Sequence, residues 1–162
     1  MAALNPKVII FACRSQQRGQ DAIDEIKKSV KCDNLKFMPL DLNDLESVKS
    51  FAETFNKTYD RLDILLNNAG IMALPKRETT AQGFEKQFGV NHVGHFLLTK
   101  LLLEKIKASE AGRIVNLSSL AHTNGKMNLE DLQHEKEYVP WAVYGQSKLA
   151  NIYFTRELEK RL

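Results

Sequence analysis

Leu62-Asp-Ile-Leu-Leu-Asn-Asn-Ala-Gly70 is the stretch whose reading decides the fold. Its first half is a short apolar run of the kind a buried strand shows. It passes without a break into two asparagines, a small residue and a glycine, so the strand is predicted to end on hydrogen-bonding groups. Toward the N-terminus, Asn43 is placed to cap a helix with Leu45, Val48, Phe51, Ala52 and Phe55 on one stripe. Before that helix, Leu35-Lys-Phe-Met-Pro-Leu40 reads as a strand ending at Asp41. Asp21 to Val30 reads as a helix with Ala22, Ile23, Ile26 and Val30 on one face and Ser15 as its N-cap. Lys7-Val-Ile-Ile-Phe-Ala-Cys13 is another short β-branched and aromatic run, again a buried strand. Toward the C-terminus, a loop holding Pro75 leads to a long helix from about Gln82 to Ala108. Gly112 is a stop signal before a fourth strand, Gly112-Arg-Ile-Val-Asn-Leu-Ser118. A polar loop from about His122 to Tyr138 then precedes a last helix, about Val139 to Arg161.

Strands alternating with helices, without hairpin signals, imply right-handed crossovers and a parallel sheet, hence an α/β fold. In open sheets of that kind ligands sit beyond the carboxyl ends of the strands. The polar residues fall there: Arg14 after the first strand, Asp41 after the second, Asn67 after the third, Ser118 and Ser119 after the fourth. Four such strand ends mark one edge as a site.

Composition narrows the classes. The chain has 162 residues, enough for one domain or part of one. With 43% hydrophobic and 27% charged residues it reads as globular, not disordered. A net charge of +3 without a basic run gives no nucleic-acid signal. Cys13 and Cys32 have no metal-ligand spacing, suggest no disulfide framework and fit a reducing compartment. Val8–Cys13 and Phe96–Leu103 are too short to span a bilayer. Met-Ala-Ala-Leu-Asn-Pro lacks the basic flank and long apolar core of a signal peptide, so a cytoplasmic location is expected. His122 and His134 have no ligand spacing and are expected at the surface, and no metal site is expected anywhere.

Tyr144 and Lys148 lie four apart on the last helix, so they share a face. A tyrosine can pass a proton to or from a reacting oxygen if its ordinary pKa, about 10, is brought toward the working pH. A neighbouring cation moves a phenol in that direction. Alone, such a pair is more often an exposed accident, and a Ser-Ser pair commonly just ends a strand. The combination is what counts. Asn67-Asn-Ala-Gly70 after a strand, Asn91-His-Val-Gly94 in a helix, Val115-Asn-Leu-Ser-Ser119 and Tyr144-Gly-Gln-Ser-Lys148 resemble the short-chain dehydrogenase/reductase family, in the family's order and over essentially the whole chain. Gly89-Val-Asn-His-Val-Gly-His-Phe-Leu-Leu-Thr99, Ile114–His122, Ser147–Ile152 and the 25-residue step from Ser119 to Tyr144 look like its retinol dehydrogenase branch.

The resemblance implies an NAD(P)-dependent oxidoreductase interconverting a small apolar alcohol and its carbonyl. Tyr144 would be the general acid/base. Lys148 would favour the phenolate and bind the nicotinamide ribose. Ser119, rather than Ser118, would orient the substrate oxygen. Asn91 would kink the long helix and hold a water in the proton relay, a reason for a poor helix former to sit there. Asn67 and Asn68-Ala69-Gly70 would line the adenosine side of the cofactor, and Asp41 with Leu42 would contact adenine. Arg14 occupies the strand end where a dinucleotide fold places its ribose selector; arginine suits a 2′-phosphate, so the cofactor is expected to be NADP. Trp141 is open between a substrate-pocket wall and packing of the helix start. In relatives the long helix and the Tyr144 helix often dimerise, which makes a homodimer a candidate.

The family pattern also places a strand and a glycine-rich turn ahead of Lys7, where backbone N–H groups meet the pyrophosphate. No glycine cluster occurs in the sequence, and Ala2-Ala3-Leu4 look like the tail of the helix that would follow such a turn. The fold expected is therefore a partial Rossmann-type doubly wound parallel sheet with flanking helices and its central first strand missing. It would form a single, incomplete domain over residues 1–162. Either the strands ending at Cys13 and Leu66 pair directly, or the chain is a fragment of a longer product; the fragment is expected. By itself it is expected to bind NADPH weakly or not at all. Two alternatives stay open: a catalytically inactive paralogue acting as a binding module, and a nucleotide-binding protein without redox chemistry.

Overall fold

The computed structural model describes residues 6–30 and 32–162, so the Ala2-Ala3-Leu4 reading lies outside the described residues. The chain forms two compact units, Met1–Asp41 and Leu42–Leu162.

The first unit is strand, helix, strand. β1 (Ile9–Cys13) pairs in parallel with β2 (Leu35–Pro39), with Phe11 opposite Phe37. The connecting helix α1 (Gln16–Ser29) starts where expected: the Ser15 side chain accepts a hydrogen bond from the Arg18 N–H, satisfying one free donor of the first turn. Its buried face presents Ile23, which packs with Cys32 and Leu35 and with the half-buried Ile9, Phe11, Ile26, Val30 and Phe37. Cys32 is part of this small core. A thiol there behaves as a small apolar side chain.

The second unit carries α2 (Leu45–Thr58), β3 (Ile64–Asn67), α3 (Lys86–Phe88), a π-helical turn (Gly89–Val93), α4 (Gly94–Lys107), β4 (Arg113–Asn116), a 3-10 helix (Leu120–Asn124) and α5 (Pro140–Arg161). β3 and β4 are parallel, with Asn67 opposite Asn116. Among the described residues the four strands thus form two two-stranded parallel sheets. The α/β class and the parallel pairing agree with the sequence.

The stripe expected on α2 is buried at Val48, Phe51, Ala52 and Phe55, and α2 packs on α4, which buries Leu98, Leu102 and Ile106. Each of these side chains larger than alanine contributes about 1.5–3 kcal/mol by leaving water. On the β3–β4 pair, Ile64, Leu66 and Val115 remain exposed.

Two local expectations are corrected. The N-cap of α2 is Asp44, whose carboxylate accepts the Glu46 N–H, one residue beyond the predicted Asn43. The long helix begins at Lys86 and not near Gln82, because Gly83 adopts φ +84 and closes a turn in which Thr80 N donates to Phe84 O. A glycine takes that left-handed conformation without strain. Glu85 then caps the helix, its carboxylate accepting from the Gln87 and Phe88 N–H groups.

Candidate active site

The site residues of the second unit meet where the loop after β3, the π-helical turn and α5 come together. Tyr144 and Lys148 sit one helical turn apart on α5, and the Lys148 ammonium lies 5.7 Å from the centroid of the Tyr144 ring. That is within the range at which a cation and a ring attract. Lys148 is buried, and burial lowers the pKa of its ammonium. Among the described residues its one acceptor is the Leu117 carbonyl at 3.3 Å, whereas an ammonium carries three donors.

Gly70 matters here because of what it lacks. A Cβ at Gly70 would stand 3.5 Å from Lys148 Nζ and 3.1 Å from Asn91 Oδ1. The bare glycine therefore leaves space beside two buried polar groups. Asn68, Ala69 and Gly70 are exposed, while Asn67 is buried and donates to Thr99 Oγ1 and Asn116 Oδ1.

Asn91 lies in the π-helical turn and is fully buried. Its Oδ1 accepts the Ile71 N–H, and its Nδ2 donates to Ile71 O and to Ser147 Oγ. Ser147 Oγ in turn donates to Tyr144 O. The Asn91 carbonyl, within the turn, accepts from Asn151 Nδ2 at 3.1 Å and from His95 Nδ1 at 3.0 Å. Since a carbonyl only accepts, Nδ1 carries the His95 proton. Asn91 thereby ties the loop after β3 to the helix bearing Tyr144.

The serine pair divides. Ser118 Oγ donates its proton to Lys148 O. Ser119 Oγ instead accepts, capping the 3-10 helix through the Ala121 N–H, so its own proton is not committed among the described residues. The 3-10 helix and α5 approach through backbone: a Cβ on Gly145 would lie 2.7 Å from Ala121 O, so the residue after Tyr144 must be small.

Trp141 stands in the first turn of α5. It is 59% exposed, and its ring meets the half-buried Tyr144 ring edge-on at 6.0 Å. His122 and His134, expected at the surface, are half-buried instead. His122 Nδ1 contacts Ser119 O, and His134 Nε2 contacts Gln146 Oε1 at 3.3 Å. In the first unit Arg14 is exposed and Asp41 half-buried; Leu42, the first residue of the second unit, is buried. Among the described residues no cluster of metal-ligating side chains occurs, and no helix is long and apolar enough to cross a membrane.

Burial gives this site a pH signature. His92 and His95 are both held below the ordinary histidine pKa, first of all by desolvation. The unfolded chain then binds more protons than the folded one below about pH 6.5. Stability is expected to fall as the pH drops through that value, and His95→Asn to flatten the decline in denaturation midpoints. Glu85, raised above its ordinary value by burial, acts in the opposite sense.

The short chain dehydrogenase family matches residues 1–162. The chain belongs to that family. Retinol dehydrogenase 12 of Mus musculus is 51% identical over 154 residues, 95% of this chain and 48% of that protein. The chain spans about half the length of the curated relatives it matches. Among solved structures, an uncharacterised protein from Mycobacterium paratuberculosis is 42% identical with a TM-score of 0.82, covering 96% of this chain and 53% of that one. A short chain dehydrogenase from Escherichia coli CFT073, complexed with NADPH, is 24% identical with a TM-score of 0.73 over 95% of this chain and 60% of its own. That likeness establishes the fold.

Proposed function

We propose that the protein to which this chain belongs is a nicotinamide-dependent oxidoreductase of small apolar alcohols and carbonyls. The observation that carries the reading is the buried Lys148 ammonium set 5.7 Å from the Tyr144 ring. The cofactor, when bound, supplies or accepts the hydride. The residues present fit such a group: Lys148 has donors to spare, and Gly70 leaves room beside them.

In the reducing direction the Tyr144 hydroxyl gives its proton to the carbonyl oxygen of the substrate. In the oxidising direction the Tyr144 phenolate takes the proton from the alcohol. Lys148 stabilises that phenolate and binds ribose hydroxyls. Ser119, whose proton is uncommitted, donates to the same substrate oxygen, a role for which Ser118 is less suited because its proton is spent on Lys148 O. Asn91 braces the arrangement through Ile71 and Ser147, and a relay water at Asn91 remains part of the reading. Trp141 offers an apolar wall beside Tyr144, consistent with an apolar substrate and with relatives named retinol dehydrogenases. Asp41, Leu42, Asn68 and Ala69 are assigned to cofactor contacts, and residues 1–162 to a single nucleotide-binding domain. A cytoplasmic location and a homodimer belong to the same reading.

NADP is the proposed cofactor, on the strength of Arg14, with a related NADPH complex in the same fold as support. Arg14→Asp is expected to shift the ratio of NADP to NAD affinity toward NAD by about tenfold to a hundredfold, the worth of one charge-assisted hydrogen bond. Titration of both cofactors checks it, in a chain extended by a strand and a glycine-rich loop ahead of Lys7. An unchanged ratio removes Arg14 from the reading.

A further inference from the structure

We infer that Gln87 is a positioning residue: its buried amide fastens the Ile71–Leu74 segment to the first turn of the Tyr144 helix. This rests on the reading of Tyr144 as the acid/base. Gln87 is fully buried, and all of its amide is used. Oε1 accepts the Ala73 N–H at 2.7 Å, while Nε2 donates to Tyr138 Oη at 3.0 Å and to Pro140 O at 3.1 Å. Tyr138 completes the ring by donating its hydroxyl proton to Leu74 O at 2.9 Å.

The two ends of this clamp are informative. Ala73 stands at φ 48, a left-handed conformation uncommon for a residue with a Cβ, and such a backbone persists where neighbours over-determine it. Pro140 is the first residue of α5, and in α-helical geometry its carbonyl is the one the Tyr144 N–H donates to. Gln87 thus shares an acceptor with the backbone of Tyr144. Four residues further along, Asn91 holds both Ile71 groups, so consecutive helical turns grip two residues of one segment, Ile71 and Ala73. Met72, between the two gripped positions, is 58% exposed, so the clamp fixes the backbone of an apolar side chain that is free to meet a ligand.

The test needs no turnover. Trp141, adjacent to Pro140, is the single tryptophan of the chain, so its emission reports on the first turn of α5. In the full 162-residue chain, amide exchange at Ala73 and time-resolved anisotropy of Trp141 are measured for the wild type, Gln87→Leu, Gln87→Glu and Tyr138→Phe. Exchange is normalised to core amides of α4. Gln87→Leu is expected to lower Ala73 protection about tenfold beyond any change in the core, the loss of one bond to a buried amide, and to increase fast Trp141 motion. Gln87→Glu keeps an acceptor for Ala73 but lacks the two N–H donors, so Ala73 protection is retained while Trp141 is freed. Tyr138→Phe, which removes one hydroxyl and opens no cavity, is expected to raise Trp141 motion with Ala73 still protected. If Ala73 protection merely tracks the core in Gln87→Leu, or Trp141 motion is unchanged in all three variants, the clamp is overturned. Failure of the acid/base reading would show in Tyr144→Phe turnover and leave these measurements as they are.

Discussion

Tyr144→Phe lowers turnover by roughly a hundredfold to ten-thousandfold, the range a positioned acid/base contributes. The measurement uses the chain extended ahead of Lys7, with NADPH and an apolar aldehyde. The substitution removes one hydroxyl from a half-buried ring, and that hydroxyl makes no hydrogen bond among the described residues, so stability changes little. Lys148 stays in place, and cofactor affinity is expected to hold within about threefold, because the lost group acts on the reacting oxygen. A loss confined to kcat fits the mechanism proposed here. A variant that retains more than about a tenth of the wild-type rate removes Tyr144 from the relay.

The largest effect on stability is expected from Asn91→Ala. The side chain is fully buried and makes three hydrogen bonds, to Ile71 N, Ile71 O and Ser147 Oγ. Truncation takes this partner from the Ile71 N–H and carbonyl and leaves Ser147 Oγ with only its bond to Tyr144 O, at about 1–3 kcal/mol for each group that water cannot reach. The sum is on the order of 3–5 kcal/mol, which lowers Tm by about 10 °C or more in a chain of this size. Thermal denaturation of the isolated chain reads it directly. A shift under about 2 °C would mean that the loop after β3 holds its place without Asn91.

Much of this was legible in the sequence, for identifiable reasons. The strands and helices carry ordinary periodicity, and Ser15 and the α2 stripe behave as such patterns dictate. The Tyr144–Lys148 pair was visible because helical spacing alone brings residues four apart onto one face. Boundaries failed where a short-range competitor won: Gly83 turns the chain before α3, and Asp44 takes the cap from Asn43.

Apart from Asn91, the braces around the site were missed. Gln87, Asn91, His95 and Thr99 recur every fourth residue and are all buried, as are Ser147 and Asn151 on α5. An apolar-stripe reading passes over a polar stripe, because it assumes polar faces meet water. Here the stripe is a seam in which Asn151 bonds Asn91 O and Leu117 O, and Asn67 bonds Thr99. The signal was available as four polar residues at helical spacing inside an otherwise apolar helix. The roles of Glu85, Gln133 and Tyr138 had no such signal, since loop geometry alone brings Gln133 Oε1 to the Glu85 N–H.

The central claim is that this site moves a hydride between a cofactor and an apolar carbonyl, and a proton between Tyr144 and the carbonyl oxygen. Deuterium transfer tests it most directly: the extended chain is incubated with NADPH labelled at the transferred position and an apolar aldehyde, and the alcohol is analysed by mass spectrometry. The account predicts one deuterium on the carbinol carbon of the product, formed at least a hundredfold faster by the wild type than by Tyr144→Phe. Equal formation by both, or no labelled alcohol above the protein-free blank from a folded, cofactor-bound wild type, would contradict it.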